Sequence, residues 1–187
     1  AYVLKIREGV GTAPTAADSV FVAYKGMLLN LSRFDERTNP VWFESLSVVK
    51  GFSALMPYIK SAAPPTVNPD GTYAFDGFGS AAIFMPSALG YYDDSRIVPA
   101  YSPLIFAVDL FTYNTTDHDG DSVPTHVEDL DGDNYFDDDT DSDGLPNFRD
   151  DDDDNDGTLT RDEYDANNDG IADDTDNDGM PDYLDKD

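Results

Sequence analysis

The chain contains no cysteine, which excludes disulfides, thiolate nucleophiles and cysteine-held zinc or iron–sulfur centres. No apolar run approaches the roughly 18 residues that a membrane span needs, so no transmembrane segment is expected, and no signal peptide is visible at Ala1. Basic residues are scarce: 11 Lys and Arg face 39 Asp and Glu, a net charge of −28 over 187 residues. Polyanions repel such a chain, which argues against nucleic acid and anionic membrane surfaces as partners. The scarcity is uneven. Up to Tyr113 there are 10 acids, 8 bases and 59 apolar residues, whereas from Asn114 onward there are 29 acids, 3 bases and only 15 apolar residues. The first stretch can bury a core; the second cannot do so by ordinary hydrophobic means. Two domains are expected, a globular one over 1–113 and an acidic one over 114–187.

The globular stretch reads as short strands and turns. Tyr2 to Arg7 alternates, and Ser19 to Leu29 is rich in β-branched and aromatic residues, with Gly26 as a bulge. Ser47 to Lys60 is the only helix candidate, with Phe52, Leu55 and Ile59 on one face and Pro57 set to shorten or kink it. Residues 61–80 form a loop rich in proline and glycine with room for one hairpin. Ala81 to Met85 and Pro103 to Phe111 read as strands. Many strands and one short helix predict an α+β domain, an antiparallel sheet curled over that helix.

The order of these pieces resembles the FKBP-type peptidyl-prolyl cis–trans isomerases. The resemblance runs from Gly9 to Phe111: a GxG before Pro14, VFVAYKGML (Val20 to Leu28), RFD (Arg33 to Asp35), VVKGF (Val48 to Phe52), MPSALGYY (Met85 to Tyr92), IVP (Ile97 to Pro99) and LIFAVDL (Leu104 to Leu110). It implies a proline pocket walled by Tyr24, Phe34, Val48, Val49, Tyr91, Ile97, Val98 and Phe106, with Phe52 as floor and Asp35 at the edge. A carboxylate embedded in an apolar motif needs a partner, and the Tyr24 hydroxyl is the expected one. The sequence departs from the family at Phe52, where tryptophan is usual, and near Val41, where an aromatic is usual.

Such a pocket needs no nucleophile and no cofactor. Rotation about an X–Pro bond must break amide resonance, a barrier of about 18–20 kcal/mol. The planar amide is more polar than the twisted transition state, so water favours the ground state and an apolar pocket removes that preference. A donor such as the Tyr91 hydroxyl or the Ile97 backbone N–H can hold the substrate carbonyl. A hundredfold acceleration takes only about 2.7 kcal/mol.

The acidic stretch is periodic. Asp152, Asp154, Asp156, Gly157, Thr158 and Glu163 occupy positions 1, 3, 5, 6, 7 and 12 of an EF-hand-type calcium loop. There alternate carboxylates supply hard oxygens, glycine allows a sharp reversal, the seventh residue gives its backbone carbonyl and the twelfth closes the sphere. Asp117, Asp119, Asp121 and Glu128 repeat the frame with glycine displaced to Gly120. Asp139, Asp141, Asp143 and Asp150 repeat it with Gly144 in place. Asp165, Asn167, Asp169, Ile171, Asp173 and Asp176 do so again, as do Asp174, Asp176, Asp178, Met180, Asp182 and Asp185, with Ile171 and Met180 acting through their carbonyls. Asp129, Asp131, Asp133 and Asp137 give a weaker sixth frame. This D-x-D-x-D-G-x-P-D style resembles thrombospondin type-3 calcium repeats and, more loosely, the dockerin loop.

Carboxylates held about 5 Å apart repel by roughly 3 kcal/mol at an effective dielectric of 20, so compaction requires cations. Several structural calcium ions are expected to replace the missing core. Crowded carboxylate cages suit calcium better than magnesium. Sites of this kind fill where calcium is near millimolar, which points outside the cytoplasm, to a bacterial periplasm or surface, and leaves room for a lipid anchor on a removed N-terminal segment. The leading expectation is an isomerase for proline-containing peptides or unfolded proteins, carrying a calcium-stabilised extension. The alternative is a catalytically weak peptide-binding module of the same fold on a calcium-rigidified stalk or docking tail.

Overall fold

A computed structural model describes residues 1–186. The chain divides into two compact units, Ala1–Thr115 and Thr116–Asp187.

The first unit is built on five strands: β1 (Tyr2–Arg7), β2 (Ser19–Leu28), β3 (Arg33–Glu44), β6 (Gly79–Met85) and β7 (Leu104–Asn114), in the spatial order β1-β6-β7-β2-β3. Every pairing is antiparallel. A separate hairpin, β4 (Thr66–Val67) with β5 (Tyr73–Ala74), lies inside the 61–80 loop. On β2 the alternate residues Val20, Val22 and Tyr24 turn into the core, the period of two that a half-buried strand demands. Pro40 sits in the edge strand β3, where the pairing shifts register between Val22 and Tyr24; an edge bulge tolerates a residue without an N–H.

The expected helix over Ser47 to Lys60 forms only in pieces: a 3-10 turn at Ser45–Ser47, one α-turn, α1 (Lys50–Ser53), and a second 3-10 turn at Met56–Tyr58. Pro57 lies in that last turn and cannot donate to a continuing α ladder. The apolar face survives the interruption. Phe52, Leu55, Met56 and Ile59 are all buried against Val22, Ile83, Leu104, Val108 and Leu110 of the sheet.

Among its described residues the second unit has almost no regular structure, only the short helix α2 (Thr160–Glu163) and 3-10 turns at Asn147–Arg149 and Asp182–Leu184. Its apolar burial is confined to a few residues: Val123, Phe136, Phe148 and Tyr183. Phe148 stacks edge-on against Phe136 and the His118 ring, and Tyr164 does so against Tyr183. No helix among the described residues is long and apolar enough to cross a membrane.

Candidate functional site

In the first unit, the start of α1, the sheet strands β2, β3 and β7 and the turn carrying Tyr91 surround a cavity of about 230 Å³. It is lined by Tyr24, Asp35, Phe43, Ser47, Val48, Val49, Phe52, Tyr91 and Phe106. The rings meet edge to face. Phe52 stands at 82° to Tyr24 and to Phe43, and at 86° to Phe106, with centroids 5.6–6.2 Å apart. Such interlocked rings hold one another in place and keep the hollow open. Phe34 backs the wall, edge-on to Tyr91 and Phe106. Gly26 makes that possible, since a Cβ there would lie 2.6 Å from the Phe34 ring.

One carboxylate reaches this apolar surface. Tyr24 Oη donates to Asp35 Oδ2 at 2.5 Å, the backbone N–H of Glu36 donates to Asp35 Oδ1 at 2.8 Å, and the Arg37 guanidinium lies 3.7 Å away. Burial, then the hydrogen bond to Asp35, drives the Tyr24 phenol upward from its ordinary pKa. Burial and the charges of Asp35 and Asp94 raise that of Tyr91. Both hydroxyls therefore keep their protons at neutral pH. Tyr24 spends its proton on Asp35. No hydrogen bond to the Tyr91 hydroxyl is seen among the described residues, which leaves it as a donor toward the cavity.

The expected wall and the cavity differ at five positions: Phe34, Ile97 and Val98 are not in the lining, Phe34 standing behind it, while Phe43 and Ser47 are in it unexpectedly. Ile97 does not line the cavity and is half exposed, while Val98 is buried in the core cluster. Phe43 does line it, so an aromatic stands close to Val41, where the sequence reading has one missing. Its signal lay two residues along in Val41-Trp42-Phe43, where the strand period turns Trp42 outward, half exposed, and Phe43 inward.

The second unit repeats one turn six times, in loops 1 to 6 beginning at Asp117, Asp129, Asp139, Asp152, Asp165 and Asp174. In each, the N–H of position 7 donates to the position-5 carboxylate at 2.6–3.0 Å. Positions 4 and 6 of every loop have positive φ, from Gly120 and Ser122 in loop 1 to Asn177 and Gly179 in loop 6. Two left-handed places, one on each side of position 5, explain the displaced glycine. Loops 1 and 2 put Gly at position 4 and Ser122 or Asn134 at position 6, while the others reverse the order. Either place accepts the residues that tolerate this conformation best.

These turns gather Asp117, Asp119 and Asp121; Asp139, Asp141 and Asp143; and Asp152, Asp154 and Asp156, each with one oxygen within 4.8 Å of the others. In loop 2 the gathered group is Asp129, Asp131 and Asp138, so Asp138 joins a set that the spacing did not assign to it. Thr158, Ile171 and Met180 hold position 7, each donating its N–H back into its own loop. The position-12 carboxyls fold toward their own loops. Burial foremost, then the charges of Asp156, Asp154 and Asp152, pushes Glu163 up to about 7. Asp150 is raised by burial and by Asp143 and Asp141, and Asp185 by burial and by Asp178 and Asp176. Glu128, which is buried, is pushed up to about 9.

Several of the buried oxygens accept no hydrogen bond, among them Asp119 Oδ2, Asp129 Oδ1, Asp139 Oδ1, Asp152 Oδ1, Asp154 Oδ2 and Asp174 Oδ1. A buried carboxylate oxygen without a donor must be protonated or meet a cation. All-oxygen sets of this kind are able to hold a hard divalent ion.

No family model and no curated relative matches the sequence. Among solved structures, the chain is similar to a peptidyl-prolyl cis–trans isomerase from Pseudomonas syringae pv. tomato, at 22% identity and a TM-score of 0.49, covering 60% of this chain and 74% of that one. It is also similar to FkpA from Escherichia coli, at 26% identity and a TM-score of 0.49, covering 60% of this chain and 47% of the other, so that it spans about half the length of FkpA.

Proposed function

We propose that the first unit is a peptidyl-prolyl cis–trans isomerase of FKBP type, acting on proline-containing peptides or unfolded proteins. The observation that carries this reading is the open aromatic cavity with a single hydroxyl-bound carboxylate at its rim. A proline ring is apolar and compact, and the faces of Phe52, Phe106 and Tyr24 offer it a dry seat. Within that seat the polar planar amide loses the hydration that favours it in water, and the less polar twisted amide gains. The Tyr91 hydroxyl, or the backbone N–H of Val49 at the start of α1, can hold the substrate carbonyl. The first N–H groups of a helix have no partner within it. Asp35, fixed by Tyr24, keeps the rim negative and ordered.

The second unit folds, in this reading, around several calcium ions held by its six loops, and calcium supplies the cohesion that apolar burial does not. Six carboxylate-rich loops suit an environment where calcium is abundant, outside the cytoplasm. The orphaned buried oxygens of these loops support this assignment.

A protease-coupled assay on a proline tetrapeptide tests the first half. Activity is expected in the parent, with Asp35→Ala and Tyr91→Phe each slower by about tenfold or more, equal to about 1.4 kcal/mol of transition-state stabilisation. Equal rates in both variants would remove the site assignment even if isomerisation were seen. The exposed position of Ile97 and the smaller floor at Phe52 favour a second reading, a peptide-binding module with little catalysis. In that case a proline peptide perturbs the Tyr91 and Phe106 resonances without accelerated exchange.

A further inference from the structure

Asp153 has no place in the frame of alternating ligands. It holds position 2 of loop 4, between Asp152 and Asp154, which face the cluster of their own loop. The other loops carry His118, Leu130, Thr140, Ala166 and Thr175 at that position, so loop 4 alone has a carboxylate there. The side chain is buried, only 1% exposed, and it meets Asp121 (1%) and Glu128 (2%) of loop 1. One oxygen of each of the three lies within 4.8 Å of the others.

The surroundings give these groups nothing to bond to. Both oxygens of Asp153, both of Glu128 and Oδ2 of Asp121 are buried and accept no hydrogen bond. Asp121 Oδ1 is already engaged, accepting from the Val123 N–H at 2.8 Å, so its other oxygen is the one left for the cluster. Backbone contacts fix the approach from the far side: the Asp153 N–H donates to Thr160 Oγ1 at 3.0 Å, and the Thr160 N–H donates to the Asp151 carbonyl at 3.1 Å. Three carboxylates are thus held rigidly face to face in a site closed to water. Nothing within either loop's own turn requires this meeting.

We propose that Asp121, Glu128 and Asp153 form an additional divalent-cation site that clasps loop 1 to loop 4, separate from the ions held inside single loops. A calcium-sized ion suits it, because the site offers crowded, charged oxygens and no room for the water shell that magnesium keeps. Asp121 also belongs to the group with Asp117 and Asp119, and Glu128 stands at position 12 of the same loop. The clasp ion and the ion of loop 1 therefore share two ligands and fill cooperatively, and Asp153 is the one ligand that belongs to the clasp alone. The inference rests on the reading of the second unit as calcium-binding.

The test uses the full chain, stripped with chelator and titrated with calcium alone, in the parent, in Asp153→Asn and in the exposed neighbour Asp151→Asn. Ion counts come from equilibrium dialysis, and unfolding of the second unit is followed with and without calcium. Asp153→Asn is expected to bind one ion fewer than the parent, while Asp151→Asn keeps the full number. Replacing a buried carboxyl that has no hydrogen-bond partner and faces two others should make Asp153→Asn more resistant to unfolding than the parent in chelator and less resistant in calcium. A variant that merely misfolds is weaker in both conditions, which overturns the proposal, as does an unchanged ion count in Asp153→Asn. A parent that binds no calcium overturns the underlying reading together with the clasp, whereas a parent that binds calcium alongside an unaltered Asp153→Asn overturns the clasp alone.

Discussion

The two units answer the same problem with opposite materials. Residues 1–115 exclude water with the side chains of Val22, Leu55, Ile83 and Leu110, each almost fully buried. Residues 116–186 place Asp121, Glu128, Asp153 and Asp154 at the same depth. Apolar burial is non-directional and tolerates a broken helix, as the interruption at Pro57 demonstrates. Carboxylate burial is directional: the same position-7 N–H to position-5 carboxylate bond recurs at 2.6–3.0 Å in all six loops, because oxygens converging on a point must be aimed. A greasy interior leaves a hollow free for a ligand, whereas a charged one commits its polar atoms to cohesion.

The sharpest way to break this contrast is chelation. If the proposed calcium sites exist, stripping the ion is expected to lower the protease resistance and unfolding midpoint of the second unit sharply while the first keeps its own midpoint. Equal loss in both, or in neither, ends the comparison. The converse substitution is Leu110→Ala, which opens a cavity under the sheet and should cost about 2–5 kcal/mol in urea unfolding of the first unit, with the calcium count unchanged.

Acidity separates the units next. In the metal-free second unit, burial foremost holds Asp121 up at about 7, Asp153 at about 8 and Glu128 at about 9, against about 4 in an unfolded chain. The folded form then binds more protons than the unfolded one. Its proton-linked stability is therefore complete below about pH 4 and is lost as pH rises through 7, 8 and 9. Calcium bound as proposed would displace the same protons, so its affinity should climb over that window, which calorimetry at several pH values checks. The Tyr24 and Tyr91 hydroxyls, raised above the usual phenol range, keep their protons throughout, so the proposed isomerase activity should stay level over the window in which calcium affinity is expected to change most.

Two smaller effects sharpen the picture. Gly26→Ala drives a methyl into the Phe34 ring and should cost about 1–3 kcal/mol, with a higher KM if the wall shifts. Gly157→Ala meets no neighbour within 4 Å, but φ is +99° there. It should cost about 1–2 kcal/mol in backbone strain alone, visible as weaker calcium binding with the first unit untouched.

Much of this was legible in the residues. The strand alternation of Ser19 to Leu28, the apolar face of Phe52, Leu55 and Ile59, and the pairing of Tyr24 with Asp35 all follow from period and chemistry. Phe43 was missed because the eye stops at Val41, although the pleat turns the third residue of that run inward. Asp138 and Asp153 were missed for a different reason. In runs such as Asp137-Asp138-Asp139 and Asp150 to Asp154, spacing names the ligands of an isolated loop, and only the folded chain decides which extra carboxylate is turned toward another. Ile97 was placed by resemblance, and its exposure is settled by the turn that carries it.

The poverty of apolar burial around Val123, Phe136, Phe148 and Tyr183 carries a thermal consequence. The heat-capacity increment of unfolding comes from newly wetted nonpolar area, and here there is little to wet. The free-energy curve of the second unit against temperature should be shallow, without the downturn on cooling that oily interiors produce. If its loops hold calcium as proposed, its melting temperature should follow the logarithm of free calcium concentration, and the ion supply, more than warmth or cold, would then decide when this half of the molecule lets go.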